Sequence, residues 1–170
     1  VQLWIYDIAS GETARIEGGD FGYDTYLTNI TWAPDASRIY IQVLDRSQKH
    51  MKLNSYDPSD GKMLGTILTE DNGKYVEPMD PLYFIKGSGF FLYRTANRDG
   101  YRNLYLCDND GNIRRLTSVD ADVEYIANDG RYVYYTSAEI SPVENHLFRI
   151  EVKGLKKGVQ KAVFGKPQRL

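Results

Sequence analysis

A turn that keeps returning constrains this chain more than anything else in it. Gly11, Gly61, Gly111 and Gly154 each follow a strand-forming run, and they recur at intervals of roughly 40 to 50 residues. Asp-Gly flanked by strand formers is a strong hairpin signal, because tight hairpin turns need a positive φ that glycine adopts without steric cost. Residues 94–118 show the unit most clearly. They comprise a strand end, a polar loop at Asn97-Arg98-Asp99-Gly100 and a strand at 101–107. A turn at Asp108-Asn109-Asp110-Gly111 and a short strand at 112–117 complete it. Trp4, Leu104 and Leu147 hold matching positions ahead of their glycines, whereas Asn54 breaks the series.

Read from the start, strands are expected at 3–8 and 12–16, then at 29–33, 38–44, 51–57 and 62–68. The cycle restarts at 82–85, 90–95, 101–107 and 112–117, and again at 123–127, 131–137, 146–152 and 159–164. Residues 38–44 alternate as a half-buried strand should, with Ile39, Ile41 and Val43 on one side and Tyr40 and Gln42 on the other. The fold class is therefore all-β: a partial β-propeller of about three and a half four-stranded antiparallel blades. The blades fall at about 28–69, 81–118 and 122–165, with the outer half of another at 1–16. A β-sandwich with regular turns is the competing arrangement. The same order of turns in every four-strand unit favours the propeller.

Fourteen Tyr and two Trp favour strands over helices. A net charge of −2 suggests neither nucleic acid nor an anionic membrane as a partner. No apolar run approaches the roughly 18 residues that span a bilayer. A single cysteine, Cys107, excludes an internal disulfide and any multi-cysteine metal site; it is expected to act as a small buried strand residue. Val1 lies already inside a strand-like run, and three and a half blades do not close a ring of radial blades. The chain is therefore expected to be a fragment, its open edges pairing, with homo-oligomerisation as one route.

Catalytic signatures are missing. Gly87-Ser88-Gly89 lacks the spacing of a nucleophile elbow and fits a hairpin turn. His50 and His146 stand beside strand starts, with no sign of a triad around either. Asp108 to Gly111 fails as a calcium loop, since Leu106 falls where the first acidic ligand belongs and Thr117 where the bidentate Glu belongs. No catalytic residue, metal ligand or cofactor is expected. Asn29-Ile30-Thr31 is a glycosylation sequon, meaningful only in a eukaryotic secretory pathway. Arg114 and Arg115 are expected on a solvated outer edge, which discourages edge pairing.

Strand direction sorts the connections. Short turns at 34–37, 58–61, 87–89, 108–111 and 128–130 share one face. The longer connections at 18–26, 45–50, 69–79, 97–100 and 139–145 share the other, and long loops are where binding usually resides. The segment TEDNGKYVEPMDP (69–81) is the most suggestive. Glu70, Asp71, Glu77 and Asp80 surround Tyr75, an arrangement suited to a substrate amine or a positively charged partner; a solvated inter-blade connection is the plainer reading.

The segments ITWAPDASRIYIQVLDRSQ, SYDPSDGK, YVEPMDPLYF, ANRDGYRNLYLCDNDGNIRRLTS and YVYYTSAEISPVENHLFRI together resemble the N-terminal propeller of the dipeptidyl peptidase IV family. The bacterial members, prolyl tripeptidyl peptidases included, are the nearest in look. The resemblance implies a serine exopeptidase that releases dipeptides or tripeptides after proline from peptide N-termini. It implies an eight-bladed propeller gating access to a separate α/β-hydrolase domain, C-terminal to this chain, that carries the Ser, Asp and His. A substrate-binding glutamate pair would lie upstream. In the mammalian enzymes the loop matching Tyr75 to Pro78 carries an aromatic-Arg pair; this chain has Val76-Glu77 there, so the Arg role does not carry over. Tyr75 and Glu77 remain candidates for lining the cavity, with Arg98 a third from the 97–100 loop. The implied partners are the hydrolase domain of the same parent chain and a peptide substrate, and the implied location is the periplasm or cell envelope of a Gram-negative bacterium. The alternative is a non-catalytic periplasmic propeller that serves as a binding module. A downstream G-x-S-x-G elbow followed by Asp and His would separate the two.

Overall fold

A computed structural model describes residues 2–18 and 24–170. The chain divides into two compact units, 1–81 and 82–170. The loop expected at 18–26 falls largely outside the described residues.

In the first unit, β1 (Trp4–Tyr6) and β2 (Thr13–Arg15) pair antiparallel. A four-stranded meander follows: β3 (Thr25–Trp32), β4 (Ile39–Asp45), β5 (His50–Tyr56) and β6 (Met63–Asp71), each hydrogen-bonded to its neighbour in sequence. The alternation in β4 sends Ile39, Ile41 and Val43 to a core shared with Ile5, Ile16 and Tyr56. The opposite face of β4 is not half-buried as the alternation suggests. Tyr40 and Gln42 are also fully buried, and the chain after β6 returns onto Gln42. β3 begins earlier than expected and carries a bulge between Thr28 and Thr31, where Asn29 takes a φ of 51°. Asn tolerates that left-handed conformation better than most residues. β6 runs on to Asp71, so residues 69–71 belong to the sheet. At the β5–β6 turn, Gly61 has a φ of 75°, and its carbonyl accepts the Glu17 N–H at 2.8 Å. A Cβ there would fall on the carbonyl of Arg15.

The second unit holds two sheets. One contains β7 (Tyr83–Phe84), β8 (Phe91–Thr95), β9 (Asn103–Cys107) and β10 (Ile113–Arg115). The other contains β11 (Val123–Asn128), β12 (Tyr132–Ser141), β13 (Glu144–Lys153), β14 (Val163–Phe164) and β15 (Gln168–Arg169), the last two both pairing with β13. Leu92, Leu104 and Leu106 from the first sheet and Val133, Tyr135 and Ile150 from the second form one continuous core. Cys107 is buried in β9. Asn128 fastens the sheets together: its Oδ1 accepts the Lys86 N–H at 2.8 Å, and its Nδ2 donates to the Phe84 carbonyl at 2.8 Å.

Two expectations fail here. Residues 159–164 do not form one strand; single-turn 3-10 helices at Leu155–Lys157 and Val159–Lys161 precede a two-residue β14. Gly154 and Gly158, at φ of 73° and 90°, break the extended path, and the second turn drives Val159 into the core. The loop expected at 139–145 is mostly strand, since β12 and β13 extend to Ser141 and from Glu144 with a register shift after Ser137.

Meander sheets joined in sequence order are the blade unit of a propeller. The chain is all-β, a partial β-propeller built from antiparallel sheets. Among the described residues no helix is long and apolar enough to cross a membrane.

Candidate functional site

The connection after β6 is held at both ends. The Asn72 N–H donates to the Lys49 carbonyl at 2.9 Å, and the Val76 N–H donates to the Gln48 carbonyl at 2.7 Å. Val76 is 2% exposed and seats the loop on the β4–β5 hairpin. Side chains alternate along extended chain, so burying Val76 turns its two neighbours outward. Tyr75 is 63% exposed, and Glu77 is exposed. Beyond them the exit strap is fixed by two side-chain amides. Asn29 Nδ2 donates to the Pro78 carbonyl at 2.7 Å, and Gln42 Nε2 donates to the Asp80 carbonyl at 2.8 Å. The acidic ring expected around Tyr75 does not form as read. Glu70 is buried in β6, and the Asp71 carboxylate lies 2.6 Å from His50 Nδ1.

Arg98 belongs to the second unit, on the β8–β9 connection. Gly100, at φ 88°, closes the loop with its N–H on the Ala96 carbonyl at 2.9 Å. Asp99 points inward and is heavily tethered. Its carboxylate accepts the Tyr105 hydroxyl at 2.5 Å, Arg115 Nε at 2.9 Å and Asn103 Nδ2 at 3.3 Å. Burial first, then the hydrogen bond to Asp99, push the Tyr105 phenol up, so it remains a donor throughout the physiological range. Arg98 is exposed at the tip, with its guanidinium 5.7 Å from the centre of the Tyr105 ring. Tyr75 and Glu77 thus share one anchored loop, whereas Arg98 stands on another.

Neither histidine is part of a triad among the described residues. His50 and Asp71 form an exposed pair, and His146 Nε2 lies 2.9 Å from a Glu144 carboxylate oxygen. The Asp108 carboxylate is engaged by its own turn, accepting the N–H groups of Asp110 and Asn112 at 3.0 and 2.9 Å. No cluster of three or more His, Cys, Asp or Glu is placed to hold a metal among the described residues.

Arg114 and Arg115 are not a solvated edge. Arg114 donates to the Ala162 carbonyl and lies 4.4 Å above the Phe164 ring, joining the two sheets of its unit. Arg115 tethers Asp99, as above. Residue type gives no warning of either role, because a strand-edge arginine looks the same in sequence whether it bridges or is solvated. Gln42 did carry a signal: it is the one polar residue in the apolar run IYIQVL.

Over residues 1–164 the chain matches the family model described as the dipeptidyl peptidase IV N-terminal region. Two solved structures are similar. One, described as a dipeptidyl aminopeptidase IV from Bacteroides ovatus, superposes with a TM-score of 0.81 at 28% identity over 88% of this chain and 24% of that one. The other, a dipeptidyl peptidase 4 from Porphyromonas gingivalis, gives 0.78 at 27% identity over 99% of this chain and 22% of that one. The chain spans about a quarter of the length of these proteins.

Proposed function

Since the chain belongs to the dipeptidyl peptidase IV family and corresponds to its N-terminal region, we propose that it is the propeller segment of a serine exopeptidase. The parent enzyme releases dipeptides or tripeptides after proline from peptide N-termini. The segment shapes substrate access to a separate hydrolase domain of the same parent chain. That domain supplies the nucleophile and forms the acyl-enzyme, and this chain supplies walls and peptide contacts. The match over residues 1–164 is the observation that carries the reading.

Tyr75, Glu77 and Arg98 are the residues we assign to the peptide. The anchoring of their loops supports this, because a side chain on a fixed backbone loses less freedom when it binds. Tyr75 offers a flat apolar face, Glu77 an acceptor for a cationic group and Arg98 a donor for a carboxylate or carbonyl.

Proline-specific release by the parent, and none by the 170-residue chain alone, is the expected outcome with a Gly-Pro chromogenic substrate. Turnover by the pure chain would overturn the division of labour. A parent without the downstream nucleophile elbow would instead be a propeller binding module.

A further inference from the structure

At the short-turn end of the second unit, the β7–β8 turn, the start of β8 and the turns after β13 enclose an open cleft of about 580 Å³. Its apolar lining comes from Phe90, Val152 and Leu155, and its rim carries Lys86, Lys156 and Lys157. Both walls are set by the fold. Lys86 has its N–H on the Asn128 side chain, and a Cβ on Gly130 would meet the Lys86 carbonyl at 2.6 Å, so the two turns interlock. On the other wall, left-handed Gly154 starts a turn in which the Lys157 N–H reaches the Gly154 carbonyl at 2.9 Å. All three lysines are exposed, and none is ion-paired among the described residues. Asp108 and Asp110 border an adjoining recess that shares Lys156 and Leu155, but the Asp108 carboxylate is engaged by its own turn.

We propose that this cleft is a docking site for an acidic peptide segment, with carboxylates meeting Lys86, Lys156 and Lys157 and an apolar side chain seated against Phe90 and Leu155. Three unpaired ammonium groups around an apolar floor complement a chain that alternates acid and hydrophobe. Lysines are point charges on long stems and impose no bidentate geometry. The inference does not depend on the peptidase reading, since none of these residues is among the proposed substrate contacts.

The test uses the full-length protein that carries this chain and a fluorescein-labelled peptide of sequence Asp-Glu-Leu-Glu-Asp, followed by anisotropy. Saturable binding is expected at about 20 mM salt, weakening strongly at about 300 mM as screening grows. The K86E/K156E double variant is expected to weaken binding by about tenfold or more. K166E, outside the cleft, is expected to leave it unchanged, and a peptide with Ser in place of Leu is expected to bind less tightly. Should the charge reversals disturb folding, K156Q/K157Q provides the same comparison with milder changes. Absence of saturable binding, indifference to the lysine changes, or equal displacement by inorganic phosphate alone would overturn the proposal, the last marking only a general anion patch.

Discussion

The side-chain amide of Gln42 donates to the backbone carbonyl of Asp80 at 2.8 Å, from a position with no solvent exposure. That bond fixes the strap carrying Tyr75 and Glu77 against the sheet that precedes it. Removing the amide takes a fully buried donor away from the Asp80 carbonyl. Gln42→Leu is expected to destabilise the first unit by about 1–3 kcal/mol. Limited proteolysis would detect the loosening as faster cleavage between Asn72 and Pro81, with other sites little changed.

Gly61 and Gly11 share a turn position and nearly the same φ, 75° and 76°. Only Gly61 has backbone against it, since nothing lies within 4 Å of a Cβ built on Gly11. Gly11→Ala is expected to cost about 1–2 kcal/mol, the strain of the left-handed conformation alone. Gly61→Ala is expected to cost more, because the Arg15 carbonyl must also shift. Urea denaturation of both variants measures the difference.

Acid should loosen the hairpin turns. Asp57 is held below the usual carboxylate value mainly by the Ser59 hydroxyl, and Asp7 mainly by the Ser10 N–H. Asp129 is held down chiefly by the N–H of Tyr132. A carboxylate depressed in the folded state contributes stability above its unfolded pKa and loses it as pH falls through the folded one. The loss is therefore expected below the ordinary value of 3.8. Stability measured from about pH 4.5 to about pH 2.5 should fall less steeply in D57N than in the parent sequence, a window that brackets ordinary Asp titration and extends below it.

Arg94 and Glu124 form an ion pair at 2.5 Å, but their settings differ: the Arg94 side chain is 5% exposed and that of Glu124 60%. Arg94 also donates through Nε to the Val123 carbonyl, so it serves backbone as well as carboxylate. Arg94→Met is expected to cost about 1–3 kcal/mol. Glu124→Gln should cost less, because Glu124 is largely exposed and the amide oxygen of Gln can still accept from Arg94. Equal losses in thermal denaturation would show that the ion pair, and not the carbonyl contact, carries the effect.

The strand order was legible because each turn announces itself. Gly11, Gly61 and Gly111 close hairpins as their spacing implies, and the strand leading to each turn is followed directly by an aspartate, Asp7, Asp57 or Asp108, whose carboxylate caps that turn. That aspartate is a second periodic signal, and the glycines alone do not reveal it. Residues 159–164 were not legible, since two left-handed glycines override the strand preference of their neighbours. The candidate loops were visible as positions, but their anchoring was not. It depends on contacts such as Asn29 to Pro78 and Asp99 to Arg115, which join residues far apart in sequence.

Release of N-terminal fragments from peptides with proline at the second or third position, followed by mass spectrometry, tests the central claim most directly. The longer protein bearing this chain should release dipeptides or tripeptides ending in proline, and the 170-residue chain alone should release nothing. Tyr75→Ala with Glu77→Gln should lower kcat/KM in the longer protein while leaving its thermal stability near that of the parent. Cleavage by the chain alone, or a longer protein that binds such peptides without cleaving them, would contradict the account.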